Sequence, residues 1–393
     1  MSQFDVTKVL SKRITSLKPS GIRKYFDVAP DVISLGVGEP DFPTPAPACE
    51  AAIRSVESRY TKYTPNSGIL PLRKEISNYL SRRFGLEYHP EDEVIVTVGG
   101  SEGIDDVIRA TVEEGDEVIL PEPSFVAYAA MTTLAGGKVV SIPTKAENQF
   151  RLTAQELREK ITPRTKILVL PFPNNPTGAI MKREHLEEIA EVLRETNIIV
   201  LSDEVYAELT YAGHHVSIAS LEGMRERTVI VNSFSKAYAM TGWRIGYCVA
   251  PRPIMEQILK VHQYALMCAP TVSQYAALEA MKKYDDDIDS MVEEYDNRRR
   301  MLVKGFREIG MECFEPEGAF YVFPSIQSTG LSSEEFCERL IQEQKVAVVP
   351  GNAFGECGEG YVRISYAYSM EHLTEALTRI GRFLQNHHTG AGM

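Results

Sequence analysis

The chain lacks the features that mark disulfide-stapled, zinc-binding or membrane proteins. Its 393 residues include six cysteines and no C-x-x-C pair, so neither a disulfide framework nor a zinc site is predicted. No stretch reaches the roughly 18 consecutive apolar residues that indicate a membrane-spanning helix, and the N-terminus has no apolar segment typical of a signal peptide. We therefore expect a cytoplasmic protein without a membrane partner.

An excess of positive charge is also absent. The chain has 42 Lys and Arg against 54 Asp and Glu, a formal net charge of -12, and its basic residues are spread along the sequence. No nucleic acid is expected as a partner, because nucleic-acid-binding proteins concentrate basic residues on one surface. Adjacent histidines occur at 214–215 and 387–388, without carboxylate or cysteine neighbours at ligand spacing, so no metal is predicted.

The sequence does contain a regular alternation of short apolar runs with longer amphipathic stretches. This pattern is typical of an α/β protein with an open, mostly parallel sheet covered by helices. Thr153 and Glu156 have the spacing of a capping box and predict the start of one such helix. Seven strands are predicted, at 94–98, 117–120, 138–142, 166–170, 198–201, 229–232 and 247–250.

The length of the chain predicts a second, smaller domain, because single hydrophobic cores seldom grow beyond about 300 residues. A polar stretch at 284–309 separates the sheet region from short predicted strands at 319–323, 346–349 and 361–365. We expect a large domain at 44–285 and a discontinuous α+β domain. The latter would comprise 286–393 and the N-terminal segment 1–43 packed against it.

A turn with two hydroxyls and a lysine follows the predicted strand at 229–232. It contains Ser233, Ser235 and Lys236, with Arg244 eight residues further on. Open α/β sheets bind ligands beyond their strand ends, and two hydroxyls with an arginine suit a phosphate. Apolar neighbours would lower the pKa of Lys236 and favour imine formation. Taken alone, so short a motif is more often a solvated turn.

Two other predicted strands are followed by polar residues that suit the same ligand. Asp203 and Tyr206 follow one strand, and Asn175 follows another. An Asp can keep a pyridine nitrogen protonated, while a Tyr hydroxyl can bond a phenolic oxygen on the ring. Separately, Asp203 resembles a helix N-cap and Asn175 an ordinary Asn-Pro turn. Independent turns would seldom reproduce their order with Lys236 and Arg244.

With these motifs the sequence resembles the fold-type I aminotransferases, in particular the prokaryotic aspartate and aromatic aminotransferases. The resemblance implies that Lys236 holds pyridoxal 5′-phosphate as a Schiff base, and that Pro123 and Pro176 are in the cis form. It extends from about residue 19 to 383 and rests on GVGEPDF (36–42), YTPNSG (63–68), VGGSE (98–102), NPTG (175–178), SDEVY (202–206), SFSK (233–236), GWR (242–244) and YVRIS (361–365).

The same resemblance assigns the cofactor to several strand ends. Backbone amides of Gly100, Ser101 and Glu102, at the start of a helix, would bind its phosphate. Phe125 would stack on its ring, at a position where many relatives carry Trp or Tyr. The other expected cofactor contacts are Asn175, Asp203, Tyr206, Ser233, Ser235, Lys236 and Arg244.

The expected substrate contacts come from three further positions. Arg363 would bind the substrate α-carboxylate through its guanidinium fork, with Asn175 nearby and the Gly38 backbone close to the same group. Tyr63 resembles a tyrosine that reaches the phosphate bound by the neighbouring subunit. This implies a homodimer with shared active sites.

The implied reaction moves the α-amino group of an L-amino acid to a 2-oxo acid such as 2-oxoglutarate, in a ping-pong cycle between pyridoxal and pyridoxamine phosphate. Lys236, Asp203 and Tyr206 would be the catalytic residues. Aromatic donors are favoured, because Tyr, Phe and Met near the motifs give an apolar lining. Aspartate and diaminopimelate-related donors stay open, as does, more distantly, a carbon–sulfur lyase on the same scaffold.

Overall fold

The computed structural model describes residues 4–26 and 28–387. Its strands are β1 (Ile33–Ser34), β2 (Val94–Thr97), β3 (Glu117–Glu122), β4 (Lys138–Pro143), β5 (Thr165–Leu170), β6 (Ile199–Asp203), β7 (Thr228–Ser233), β8 (Gly246–Val249), β9 (Tyr321–Val322), β10 (Val346–Ala347), β11 (Val349–Pro350) and β12 (Val362–Ser365). Its α-helices are α1 (Lys12–Ser16), α2 (Ala46–Glu57), α3 (Leu70–Phe84), α4 (Gly99–Thr111), α5 (Ala127–Ala135), α6 (Ala154–Lys160), α7 (Arg183–Arg194), α8 (Phe234–Ala237), α9 (Arg252–Ala265), α10 (Thr271–Lys283), α11 (Asp285–Glu308), α12 (Ser333–Gln344) and α13 (Met370–His387).

The seven strands predicted from apolar runs form one sheet. Its order is β2-β8-β7-β6-β5-β3-β4. Strand β8 runs antiparallel to β2 and β7, and the other neighbouring pairs are parallel. The predicted α/β class with a seven-stranded, mostly parallel sheet is therefore confirmed. The carboxyl ends of β5, β6 and β7 meet at one edge, where ligands of such sheets bind.

Both faces of this sheet are buried, which explains why its strands read as continuous apolar runs. In β7, Val229 and Val231 pack with α4, α5 and α9, whereas Ile230 between them packs on the opposite face with α2, α3 and α10. Helices α6 and α7 cover the opposite face over β3, β5 and β6. The capping box predicted at the start of α6 is formed by Thr153 and Glu156.

A second group of strands and helices is built from the C-terminal part and the N-terminal segment. Strands β11, β12 and β9 form an antiparallel sheet, and β1 pairs in parallel with β10, with Ile33 opposite Val346. Their apolar residues share a core with α11, α12 and α13. The prediction of one strand at 346–349 was wrong, because β10 and β11 pair with different partners. The proposed domain limits stay a prediction.

Two remaining features are the cis peptide bonds before prolines and the length and polarity of the helices. The peptide bonds before Pro123 and Pro176 are cis, as expected, and so is the bond before Pro173, which was not predicted. Among the described residues, no helix is both long and apolar enough to span a membrane.

Candidate active site

A pocket of about 590 Å³ lies at the carboxyl edge of the large sheet. Residues of the N-terminal segment, of the sheet and of the C-terminal part all line it. Of the residues expected at the site, Tyr63 and Glu102 do not line this pocket. The others do, namely Gly38, Gly100, Ser101, Phe125, Asn175, Asp203, Tyr206, Ser233, Ser235, Lys236, Arg244 and Arg363.

Lys236 lies in the short helix α8, directly after β7, and its amine points into the pocket. Its Nζ donates a hydrogen bond to the carbonyl of Gly38. Burial lowers the pKa of Lys236 to about 8, and the positive charge of Arg363 adds to this effect. The lowered pKa increases the fraction of uncharged amine near neutral pH far above that of an ordinary lysine, and the uncharged form is the one that attacks a carbonyl.

Hydrogen-bond donors gather at one end of the pocket. The hydroxyl of Ser235 lies 2.8 Å from that of Ser233, which in turn accepts a bond from the Ser235 amide at 3.1 Å. The Arg244 guanidinium lies so close to Gly99 that a Cβ there would be 2.6 Å from Nη2. The first turn of α4 contributes free backbone amides. Hydroxyls, a guanidinium and a helix N-terminus together suit a phosphate dianion.

Asp203 ends β6 and is held by a residue that the motif analysis missed. The hydroxyl of Tyr128 donates to its Oδ2 at 2.5 Å, and the amide of Val205 donates to Oδ1 at 3.1 Å. Burial raises the pKa of Asp203, and these two bonds oppose that effect. Tyr128 lies three residues after Phe125, whose ring it meets edge-on at 5.9 Å. Phe125 precedes α5 and Tyr128 lies in its first turn, and this three-residue spacing was the sequence signal that could have identified Tyr128.

Tyr206 has a second unpredicted partner, Tyr321. Their hydroxyls are 2.7 Å apart, and the Tyr321 ring lies 4.5 Å from the Arg363 guanidinium carbon. A Cβ on Gly38 would lie 2.1 Å from the Tyr321 hydroxyl, so only glycine fits there. Strand β9, which carries Tyr321, gave no motif that points to the site.

Arg363 lies on β12 and is only 2% exposed. Its guanidinium donates to Asn175 Oδ1 at 2.9 Å and to the Gly36 carbonyl. Its Nε has no hydrogen-bond partner among the described residues. A buried guanidinium with an unused donor, facing a pocket, suits a ligand carboxylate.

Glu102 and Tyr63 lie elsewhere. The Glu102 carboxylate accepts a bond from the Val98 amide and lies 2.6 Å from His262 Nδ1, away from the pocket lining. Tyr63 is 80% exposed. Neither side chain therefore completes the pocket within this chain.

The family assignment follows from the whole chain. A family model described as aminotransferase class I and II matches residues 30–380. The chain belongs to the class I and II aminotransferases. It is 53% identical to the YugH protein of Bacillus subtilis strain 168, with 96% of this chain and 99% of the relative covered.

Two further comparisons concern an aspartate and an aromatic aminotransferase. Identity to an aspartate aminotransferase of Pyrococcus abyssi is 46%, over 96% of this chain and 98% of the relative. The solved structure of an aromatic aminotransferase from Pyrococcus horikoshii OT3 has a TM-score of 0.88 and 45% identity, with 93% and 99% of the two chains covered.

The class I and II aminotransferases use pyridoxal 5′-phosphate, and the pocket fits this cofactor. The donor-rich end suits its phosphate, Lys236 suits its aldehyde, and Asp203 suits its pyridine nitrogen. Phe125 lines the same pocket and offers an aromatic face.

Proposed function

We propose that the enzyme transfers the α-amino group of an aromatic L-amino acid to a 2-oxo acid, most naturally 2-oxoglutarate. The observation that carries the choice of donor is the apolar lining by Ile22, Phe26 and Val37, in the same pocket as Arg363. An apolar lining favours an apolar side chain, while the guanidinium binds the α-carboxylate common to all donors.

The catalytic roles follow from the geometry of the pocket. Bound pyridoxal phosphate supplies an electron-accepting ring and a carbonyl carbon for the amino group. Lys236, whose lowered pKa increases the uncharged fraction of its amine, would act as the base that accepts and returns the proton of the substrate Cα. Arg363 fixes the α-carboxylate, and so decides which Cα bond faces the lysine.

The remaining site residues hold the cofactor in the proposed arrangement. Asp203 carries the charge that keeps the ring nitrogen protonated, and Tyr128 keeps Asp203 ionised. Tyr206 and Asn175 donate hydrogen bonds toward the phenolic oxygen. Ser233, Ser235, Arg244 and the first turn of α4, including the amides of Gly100, Ser101 and Glu102, bind the phosphate.

An acidic substrate has a specific observation in its favour. Arg23, in the short turn that also carries Ile22 and Phe26, lines the pocket as well. A guanidinium there can pair with the distal carboxylate of 2-oxoglutarate, and equally with that of aspartate. Aspartate therefore remains the second candidate donor.

The test is a set of single half-reactions. Purified enzyme is mixed separately with phenylalanine, tyrosine and aspartate, and the conversion of the cofactor to its pyridoxamine form is followed by absorbance. Lys236→Ala is the inactive control. Fastest conversion by an aromatic donor, reversed by 2-oxoglutarate, supports the proposal, whereas fastest conversion by aspartate replaces the donor. In a separate reaction with cystathionine, cleavage of its carbon–sulfur bond with stoichiometric release of homocysteine, pyruvate and ammonia, and no need for an oxo acid, would instead indicate a lyase.

Arg23→Gln separates the two recognition modes within the same assay. We expect this substitution to weaken the binding of 2-oxoglutarate and of aspartate by about tenfold or more, because both carry a distal carboxylate. The binding of phenylalanine, which has none, should stay nearly unchanged. Equal weakening of all substrates would remove Arg23 from substrate recognition.

We also propose a homodimer with shared sites; a cytoplasmic location stays a prediction from the sequence. The Asn66 side-chain amide donates a hydrogen bond to the Met267 carbonyl, so the segment with Tyr63 lies beside the end of α9 and the residues that follow it. Together they expose large apolar side chains that suit a subunit interface, namely Tyr60, Tyr63, Tyr264, Leu266 and Met267.

Mixing Tyr63→Ala with Lys236→Ala subunits regains activity if Tyr63 serves the partner's site, because one site of the mixed dimer is then intact. No recovery, with mixed dimers present, would contradict sharing.

A further inference from the structure

A buried cluster of titratable groups lies behind the phosphate-binding turn, outside the pocket. It consists of Glu102 and Asp106 on α4 and His262 on α9, with His262 0% and Asp106 1% exposed. His262 Nδ1 lies 2.6 Å from Glu102 Oε1 and 3.8 Å from Asp106 Oδ2. Its Nε2 lies 2.9 Å from the Asn66 carbonyl oxygen. Histidine spacing in the sequence gave no sign of this cluster.

The contacts of His262 define its protons. A carbonyl oxygen only accepts, so Nε2 carries one proton toward Asn66. The contact of 2.6 Å between Nδ1 and the Glu102 oxygen requires a second proton between these two atoms. The raised pKa of His262 favours this proton on the ring, which makes His262 an imidazolium paired with a Glu102 carboxylate. Burial lowers the pKa of His262, but the hydrogen bond and the charge of Glu102, with the Asn66 bond, outweigh burial and raise the pKa.

Asp106 completes the charge balance as a neutral acid. Its Oδ2 has no hydrogen-bond partner among the described residues. Burial, followed by the nearby charge of Glu102, raises the pKa of Asp106 to about 8. The cluster thus holds one positive and one negative charge near neutral pH.

The position of Glu102 gives this balance a consequence for the cofactor. Glu102 lies in the first turn of α4, and its Oε2 accepts a hydrogen bond from the Val98 amide at the turn into that helix. The same turn supplies the amides expected to bind the phosphate. An uncompensated carboxylate there would repel the phosphate dianion. The Asn66 bond also joins this turn to the 63–68 segment that carries Tyr63.

We propose that His262 is a positioning residue for the cofactor, which as an imidazolium neutralises Glu102 and ties the phosphate-binding turn to the 63–68 segment. The inference holds whichever amino acid is the donor. A metal ion is the rival occupant of such a cluster. Two ligands on a tetrahedral zinc ion are separated by about 3.4 Å, well beyond the observed contact between Nδ1 and Oε1, so a shared proton fits better.

The test measures retention of pyridoxamine 5′-phosphate, which has no covalent link to Lys236. The full-length enzyme is converted to this form and the dissociation constant is determined by equilibrium dialysis. His262→Gln leaves Glu102 charged without a counter-ion. We expect the dissociation constant of pyridoxamine 5′-phosphate to rise by about tenfold or more. Asp106→Asn is the matched control in the same cluster. It replaces a neutral acid by a neutral amide and is expected to stay within about twofold of the native enzyme.

The double variant Glu102→Gln/His262→Gln separates charge from simple loss of structure. Two glutamine side chains can still form hydrogen bonds with the Val98 amide, with each other and with the Asn66 carbonyl, and neither of them carries a charge. We expect it to bind pyridoxamine phosphate much more tightly than His262→Gln alone. No rescue, with both variants folded by circular dichroism, would overturn the proposal.

Nitrogen-15 NMR of labelled histidine and metal analysis of the native enzyme supply readouts that do not depend on any variant. Both His262 ring nitrogens are expected to be protonated near neutral pH. A neutral ring, or one equivalent of a tightly held divalent metal with Glu102, Asp106 and His262 as ligands, would overturn it.

Discussion

Replacing Tyr128 by phenylalanine tests the support of the catalytic centre most directly. The change removes the hydroxyl that donates to Asp203 Oδ2 at 2.5 Å and keeps the ring that meets Phe125. The Val205 amide remains as a donor to the other oxygen of Asp203. Burial already raises the pKa of this carboxyl, so losing the stronger opposing bond must raise it further.

The size of the effect follows from the type of bond that is lost. A hydrogen bond to a charged group contributes about 1.5–3 kcal/mol, which corresponds to about one to two pKa units. Because Asp203 must be ionised to hold the ring nitrogen protonated, the acidic limb of the pH–rate profile should move to higher pH by that amount. At a pH on that acidic limb the half-reaction should slow by about tenfold or more.

The assay is the half-reaction under single-turnover conditions across the acidic and neutral range, compared with the native enzyme. Tyr247→Phe is a matched control, since it removes a buried hydroxyl that has no hydrogen-bond partner among the described residues. The reasoning is refuted if Tyr128→Phe leaves both the acidic limb and the rate unchanged, or if Tyr247→Phe has the same effect.

Three further substitutions test Lys236, Gly38 and Arg363. Because the pKa of Lys236 is lowered from 10.5 to about 8, protonating it disfavours the folded state, so Lys236→Met should stabilise the cofactor-free protein by about 3 kcal/mol at pH 7. Denaturant titrations should show this gain fading as pH rises from about 8 to about 10.5; a pH-independent gain would contradict it. Gly38→Ala places a Cβ 2.1 Å from the Tyr321 hydroxyl and should raise KM by about tenfold, with partial recovery when Tyr321→Phe removes that atom. In Arg363→Lys, the lysine cannot replace the guanidinium, which also bonds Asn175, so KM should rise by about a hundredfold for all donors. An effect confined to one donor would argue against binding of the α-carboxylate by Arg363.

The sequence predicted much of the fold and of the pocket because both follow local patterns. A strand buried on both faces must be apolar throughout, so the runs ending near Asp203 and Ser233 were readable as strands. Ligand-binding residues follow such strands, so Asn175, Asp203 and Lys236 were identified from their positions after them. The direction of β8 was not readable, because its four buried residues look like those of the strands that pair in parallel elsewhere in the sheet.

By itself, then, the amino-acid sequence determined the α/β class, the large sheet and the residues after its strands, since period and chain order are properties of short segments. Only the tertiary structure decided which distant side chains meet. Tyr128 and Asp203 are 75 residues apart, Tyr206 and Tyr321 are 115 apart, and His262 reaches Glu102 across 160 positions. A hydrogen bond depends on distance and direction in space, and no local period encodes these for residues on separate elements.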